Sequence, residues 1–203
     1  MMQNLSTVCA VWVALASSLG VASPLSAQDW AGGYGALSVS QSDGELTENA
    51  YGNPMLTSGL AGRQVGLNLG YSFVRGKLVY GAELSFNPQE IELSEIYPTK
   101  NYLDRIIDLK ARAGYASGDY LWYGALALTR GDGHVFGIAD SLEPLSVTGF
   151  SFGVGVDRHL TEQVFVGAEV LHRNLETGGL PGAPESDVEY SFTSLAVRLG
   201  MKF

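Results

Sequence analysis

The sequence predicts an all-β chain, an eight-stranded antiparallel up-and-down barrel that crosses a membrane. Three observations predict it. Segment after segment alternates large apolar with small or polar residues at a period of two, the signature of strands rather than helices. The connections between these segments alternate long and short. Charged residues in mid-segment keep to the parity opposite the large apolar ones.

The N-terminus reads differently. An apolar run over 8–21, interrupted by Ser and Gly, passes into small residues and then into polar Gln28 and Asp29. That is the layout of a secretory signal peptide, since a membrane-spanning helix needs about 20 apolar residues. No Lys or Arg precedes the run. Cleavage is expected after Ala27, with Ala22 the other candidate, which makes 1–27 the signal peptide and 28–203 the barrel domain. Cys9, the one cysteine among the 203 residues, falls in the cleaved segment. The mature chain then holds no thiol, disulfide or cysteine metal ligand, and its stability rests on packing or on a membrane. A net charge of −9 argues against nucleic acid as a partner.

The first strand is expected over 30–40. "VGLNLGYSF" (65–73) puts Val65, Leu67, Leu69, Tyr71 and Phe73 on one face, against Gly66, Asn68, Gly70 and Ser72. "LVYGAELSF" (78–86) sets Leu78, Tyr80, Ala82, Leu84 and Phe86 against Val79, Gly81, Glu83 and Ser85. "DLKARAGY" (108–115) sets Leu109, Ala111, Ala113 and Tyr115 against Asp108, Lys110, Arg112 and Gly114. The segment 120–130 is apolar on both parities; Trp122, Leu126 and Leu128 are assigned to its apolar face. "GFSFGVGVD" (149–157) alternates Phe150, Phe152, Val154 and Val156 with glycines, Ser151 and Asp157. Over 164–173, Val164, Val166, Ala168 and Val170 oppose Phe165, Gly167, Glu169, Leu171 and Arg173. The last strand, 192–203, closes the count at eight, with Val197, Leu199, Met201 and Phe203 opposite Ala196, Arg198, Gly200 and Lys202.

Long polar connections are expected over 41–64, 87–103, 131–148 and 174–190, short ones over 74–77, 116–119 and 158–163. That is a meander with both ends on the short-turn side, and strands of about ten residues suit a tilted transmembrane barrel. An open sheet would leave unpaired edges that hydrocarbon does not tolerate, so the sheet must close. A soluble, lipocalin-like barrel also alternates, but with its apolar face inward. Charge placement separates the two. In the membrane barrel Glu83, Asp108, Lys110, Arg112, Glu169, Arg198 and Lys202 face the lumen, whereas one Arg or Lys turned to lipid at the midplane would cost about 2–4 kcal/mol.

Depth supports that orientation. Glu83 lies six residues beyond Lys77, Lys110 six before Ala116, and Glu169 six beyond Gln163. Arg112 and Arg198 fall near the same level, and Asp108 completes a set of three acids and three bases. A sealed interior demands such neutrality, because an unpaired buried charge costs several kcal/mol. Inward glycines, among them Gly70, Gly81, Gly155, Gly167 and Gly200, are expected to make room for the long charged side chains. Tyr71, Phe73, Tyr80, Tyr115, Trp122 and Phe203 sit near strand ends on the outward parity, as interfacial girdles do. Arg105 is outward at the long-loop end, within reach of head groups.

On these residues the chain resembles the OmpA-like eight-stranded outer-membrane barrels of Gram-negative bacteria, in particular the small opacity-protein or porin-family group. "DWAGGYGALSVS" is similar to that group's opening strand, and "LKARAGYASGDYLWYGALAL", "GFSFGVGVDRHLTEQVFVGAEV" and "VRLGMKF" to later ones. Gly33 and Gly35 stand where the group has bulkier residues, and Leu171 where it often has a charge. The resemblance implies an outer-membrane location, lipid and lipopolysaccharide as surroundings, and the barrel assembly machinery as partner. It also implies that Leu199, Met201 and Phe203 form the signal that machinery reads.

Nothing in the sequence calls for a cofactor, a metal or a catalytic centre. "GVGV" and "GDGH" lack the following helix and the Lys-Ser/Thr of a phosphate loop. His134, His159 and His172 are scattered. Outer-membrane lipid A deacylases carry a His-x-Ser pair; the nearest match is His159 with Thr161, in a short turn on the periplasmic side. The expected function is therefore a monomeric envelope barrel with a structural or surface-interaction role. A narrow passive pore, with the charged network as gate, and a lipid A-modifying enzyme are the alternatives. The long connections are rich in acids, among them Asp43, Glu45, Glu48, Glu90, Glu92, Glu95, Asp132, Asp140, Glu143, Glu176, Glu185, Asp187 and Glu189. They offer a solvated surface beside lipopolysaccharide phosphates, or a face for a surface partner.

Overall fold

The structure, a computed structural model, describes residues 27–49, 56–93, 102–134, 145–177 and 187–203. The expected signal peptide, apart from Ala27, lies outside the described residues, as do Glu95, Asp140, Glu143 and Glu185. Among the described residues a 3₁₀ turn (Ala27–Trp30) precedes nine strands: β1 (Gly32–Asn49), β2 (Leu56–Arg75), β3 (Leu78–Asn87), β4 (Ile91–Leu93), β5 (Tyr102–Ser117), β6 (Tyr120–His134), β7 (Leu145–His159), β8 (Val164–Glu176) and β9 (Asp187–Lys202). Neighbours are antiparallel throughout, and β1 pairs with both β2 and β9, which closes the wall. β4 carries on the stave begun by β3, pairing with β2 through Leu60↔Leu93 and with β5 through Ile91↔Leu103. The wall is thus an eight-staved antiparallel barrel.

Local chemistry explains the joints. Pro88 has no N–H to give to a ladder, so the third stave breaks there. Gln64 Nε2 donates to the Gln89 carbonyl at 2.9 Å and Val65 N–H donates to Gln89 Oε1 at 2.8 Å, which bridges the gap. The hairpins β2–β3 and β5–β6 turn on Gly76–Lys77 and Gly118–Asp119, each with a glycine first at positive φ (65° and 57°), the order that tight II′ hairpins prefer.

The large apolar side chains face outward. Leu69, Leu84, Leu109, Leu126 (69 % exposed), Phe152, Val154 and Leu199 all point away from the lumen, and the 120–130 segment takes the assigned register. Nearer the short turns, Tyr71 packs on Phe73 (centroids 5.0 Å apart) and Phe73 on Tyr80 (5.7 Å), while Trp122 stacks with Tyr120 (6.4 Å). These form part of an aromatic girdle.

Parts of the long polar connections are strand, which corrects the expectation: among the described residues, 41–49, 56–64, 131–134, 145–148, 174–176 and 187–190 lie in the barrel wall. β1 runs on to Asn49, β2 begins at Leu56, and the eight staves reach well past the ten or so residues that a bilayer needs. Above the lipid-facing band the alternation inverts. On β1, Leu37 and Val39 face out with Ser38, Ser40 and Ser42 inside; higher up, Asp43 and Glu45 face out and Leu46 faces in. Leu60, Ile91, Leu103, Leu175 and Phe192 join Leu46 in a fully buried core inside this extension. Hydrocarbon and water reverse which face is the cheap one, so one strand crosses both solvents with opposite patterns. Asp43, Glu45 and Glu189 are therefore outward strand residues. A bulge in β5 between Asp104 and Ile107 carries the change there, with Arg105 at φ 48° and its guanidinium 2.9 Å from Asp132.

The two halves predict different responses. Leu126→Arg, near the middle of the lipid-facing band, is expected to cost about 2–4 kcal/mol of unfolding free energy in vesicles. Leu103→Ala, inside the extension, is expected to cost about 2–5 kcal/mol through the cavity it leaves. Urea titrations in the presence of lipid measure both.

Candidate functional site: the filled lumen

From the short-turn end upward, the lumen is stacked in layers. The 3₁₀ turn tucks Trp30 into the mouth, where its ring lies 3.9 Å from that of His159 and meets Phe165 edge-on at 6.1 Å. Tyr34, Val79, Leu121 and Tyr123 complete this apolar plug. Glycines on facing staves admit the rings: a Cβ at Gly70 would strike Tyr34, one at Gly155 would strike Tyr123, and one at Gly200 would strike Phe165. The inward glycines were expected to accommodate long charged side chains. Gly70, Gly155 and Gly200 admit aromatic rings instead, Gly167 admits Asp157, and Gly81 lies against the backbone of Tyr71 and Ser72.

Above the plug lies an ion-pair layer centred on Glu83, which is 1 % exposed. Lys110 Nζ lies 3.1 Å from its Oε1; Arg112 Nη1 and Arg198 Nη1 lie 2.9 and 2.7 Å from Oε2. The Tyr34 hydroxyl donates to the same Oε2 at 2.8 Å while accepting from Arg112 at 2.6 Å. Asp157 takes Arg112 Nη2 at 2.8 Å and Arg198 Nε at 2.8 Å, with Arg198 Nη2 against its Oδ2. Glu169 takes Lys110 at 2.5 Å and the Tyr123 hydroxyl at 3.1 Å. The Arg112 guanidinium sits 3.7 Å from the centroid of the Tyr123 ring, within cation–π range.

One level higher, Arg173 grips Asp108 with two bonds, Nε to Oδ1 at 3.0 Å and Nη2 to Oδ2 at 2.7 Å. Thr129 donates to Asp108 Oδ1 at 2.7 Å, and Arg173 Nη1 donates to Ser194 Oγ at 2.7 Å. Beside them, Asn68 donates to Ser38 at 3.0 Å and accepts from Ser85 at 2.7 Å. The cavity between the charged and polar layers measures about 20 Å³, room for about one water. The core of the extension caps the stack.

The structure thus brings Glu83, Lys110, Arg112, Glu169 and Arg198 into one cluster and gives Asp108 to a separate pair. Sequence reasoning left out Asp157, Arg173, Tyr34 and Tyr123. Asp157 and Arg173 were on the inward parity but at the ends of strands drawn too short, where a charge needs no partner. The four carboxylates, Glu83, Asp108, Asp157 and Glu169, meet four cations, Lys110, Arg112, Arg173 and Arg198.

Leu199, Met201 and Phe203 face outward at the seam. Phe203 N–H donates to the Gly33 carbonyl at 3.0 Å, and its ring covers Gly33, where a Cβ would collide with it. His159 Nδ1 meets the Thr161 backbone carbonyl at 3.1 Å, and the Thr161 hydroxyl accepts from Val164 N–H at 3.0 Å, so this pair organises a turn. His172 lies on the outer wall beside Thr193 and Asn174, and the His134 side chain lies outside what is described. Among the described residues no group of three or more His, Cys, Asp or Glu could hold a metal.

The family model of the outer membrane protein β-barrel domain matches residues 12–203. The chain belongs to this family. Its barrel is similar to OprG of Pseudomonas aeruginosa, with TM-score 0.58 and 16 % identity over 85 % of this chain and 96 % of that one. This is a likeness of fold. Neisserial surface protein A (TM-score 0.44, 14 % identity, 85 % and 98 % covered) and the Escherichia coli outer-membrane protease OmpT (0.47, 10 %, 84 % and 96 %) also match. No curated protein matches the chain. Within an outer-membrane barrel the Glu83 cluster faces a specific test. Glu83→Gln leaves three cations facing two acids and is expected to destabilise the barrel by about 3–5 kcal/mol. Glu83→Gln with Lys110→Met removes one charge of each sign and should recover part of that loss, measured by tryptophan fluorescence during urea unfolding.

Proposed function

We propose that the protein is an exported, monomeric outer-membrane barrel with a sealed lumen and a structural or surface-interaction role in the envelope. One observation supports this above the others. Apolar plug, neutral ion-pair layer, polar layer and apolar core follow one another along the lumen, and the cavity between the middle layers is only about 20 Å³. Ions crossing it would have to displace Glu83, Arg112 and Arg198 from partners held at 2.9 Å or less. Water cannot repay that inside a filled barrel.

In this reading residues 1–27 direct export, and the assembly machinery reads Leu199, Met201 and Phe203 on the stave that closes the wall. Lipid and lipopolysaccharide surround the band. The outward acids of the extension, Asp43, Glu45 and Glu189, present a face to lipopolysaccharide-bound cations or to a surface partner. His159 and Thr161 act as a turn, and the chain turns over no substrate.

Planar-bilayer recording tests the seal. The wild-type protein is expected to give no steady conductance; steady openings abolished by changing Glu83 or Arg112 would make it a narrow pore. Mass analysis of lipid A from cells with and without the gene is expected to give identical acyl patterns. A changed pattern would make it an enzyme.

A further inference from the structure

On the outer wall, β5 to β9 frame a groove of about 810 Å³, a size within the roughly 300–1,000 Å³ of small-molecule sites. It straddles the edge of the lipid-facing band. Its lower part is apolar, floored by Leu109, Leu128 and Phe150, which are 54, 56 and 73 % exposed. Its upper edge is polar. Arg130 pairs across the sheet with Thr148, Thr148 with Glu176, and Glu176 with Glu189, so these four stand in one row over β6, β7, β8 and β9. At about 4.8 Å between strands, Arg130 and Glu176 are about 10 Å apart along that row.

Arg130 differs from the other outward cations at this boundary. Arg63 is tied to Gln41 Oε1 at 3.0 Å, and Arg105 to Asp132 at 2.9 Å. Among the described residues nothing pairs with Arg130. A guanidinium matches phosphate geometry with two parallel bonds. Placed above a floor of Leu109, Leu128 and Phe150, it fits the head of an amphiphile. Glu176 and Glu189 face each other with like charge, which turns an anionic head away from β8 and β9 and toward Arg130. The groove lies in the half of the barrel away from the short turns, hence in the outer leaflet.

We propose that this groove seats one phosphorylated glycolipid of the outer leaflet, with an acyl chain on Leu109, Leu128 and Phe150 and a phosphate on Arg130. The seat is separate from the lumen, so it stands or falls independently of the sealed-barrel reading. Native mass spectrometry of the folded protein in neutral detergent tests it. The probes are diphosphoryl lipid A, the same lipid without its phosphates, and phosphatidylglycerol. One diphosphoryl lipid A per barrel should be retained, and Arg130→Gln should weaken retention roughly tenfold, as the loss of one charge-assisted bond implies. Arg63→Gln, at the same boundary three staves away, should bind as the wild type does. Heat-modifiable gel migration verifies that both variants are folded barrels. Equal retention of the dephosphorylated lipid or of phosphatidylglycerol, or undiminished binding by Arg130→Gln, overturns the proposal.

Discussion

Glu83 faces three cations in a lumen whose wall is bounded on the other side by hydrocarbon, and that neutrality constrains the rest of the interior. No charge can be moved to the outer face without a cost of about 2–4 kcal/mol near the midplane, and none can be left unpaired inside without a similar or greater one. The ionised groups must therefore cancel locally. Glu83, Asp157 and Glu169 cancel Lys110, Arg112 and Arg198; Asp108 cancels Arg173. Tyr34 and Tyr123 lend hydroxyls to the carboxylates and ring faces to the guanidiniums. Those two rings need space, and Gly70 and Gly155 provide it. Charge neutrality, aromatic placement and glycine positions thus form one chain of dependence.

A second dependence runs along the barrel axis. In the band the wall is greasy outside and polar within; in the extension it is polar outside and greasy within. The change occurs inside single strands, between Val39 and Leu46 on β1 and between Arg173 and Leu175 on β8. β5 accomplishes it with a bulge that re-aims the side chains beyond Ile106. The extension is thus stabilised as a water-soluble β-protein is, by a buried core, while the band is stabilised by the solvent around it.

This inversion separates what the sequence disclosed from what it concealed. The strands over 65–73, 78–86 and 149–157 were legible because one solvent governs their whole length, and strict alternation then fixes type, face and depth together. Eight staves followed from parity, and the outward apolar faces with the inward setting of Glu83, Lys110, Arg112 and Arg198 from parity together with charge placement and depth. The stretches 41–49 and 56–64 read as polar loop because Asp43, Glu45 and Arg63 were weighed without the buried Leu46 and Leu60 between them. A reader expecting one pattern sees its breakdown as the end of a strand. Arg173 is concealed in the same way, whereas Asp157 stands beside the short 158–163 turn, where a charge reads as solvated; their partners Arg112 and Asp108 lie 45 and 65 residues away in sequence, beyond any local signal. The plug made by Trp30, His159 and Phe165 depends on tertiary stacking, which no periodicity encodes.

Ion pairs are a costly way to fill a barrel, since apolar side chains of similar volume would often be at least as stable. Their value here lies in register. A one-residue slip of β5 against its neighbours would turn Lys110 and Arg112 toward lipid and bring Leu109 and Ala111 inside. A two-residue slip keeps the faces but separates Arg112 from Asp157 and from the Tyr123 ring, 3.7 Å away, that supports it. A two-residue slip of β2 against β1 would likewise leave the Tyr34 ring opposite Asn68 or Ser72, which have a Cβ, in place of Gly70. An all-apolar lumen would penalise neither slip strongly, because one greasy layer resembles the next. The charged layer makes each wrong pairing leave a buried ion without its partner, and the glycine–aromatic contacts add a steric penalty at the same level. Closure between Gly33 and Phe203 then has one register in which the wall can seal.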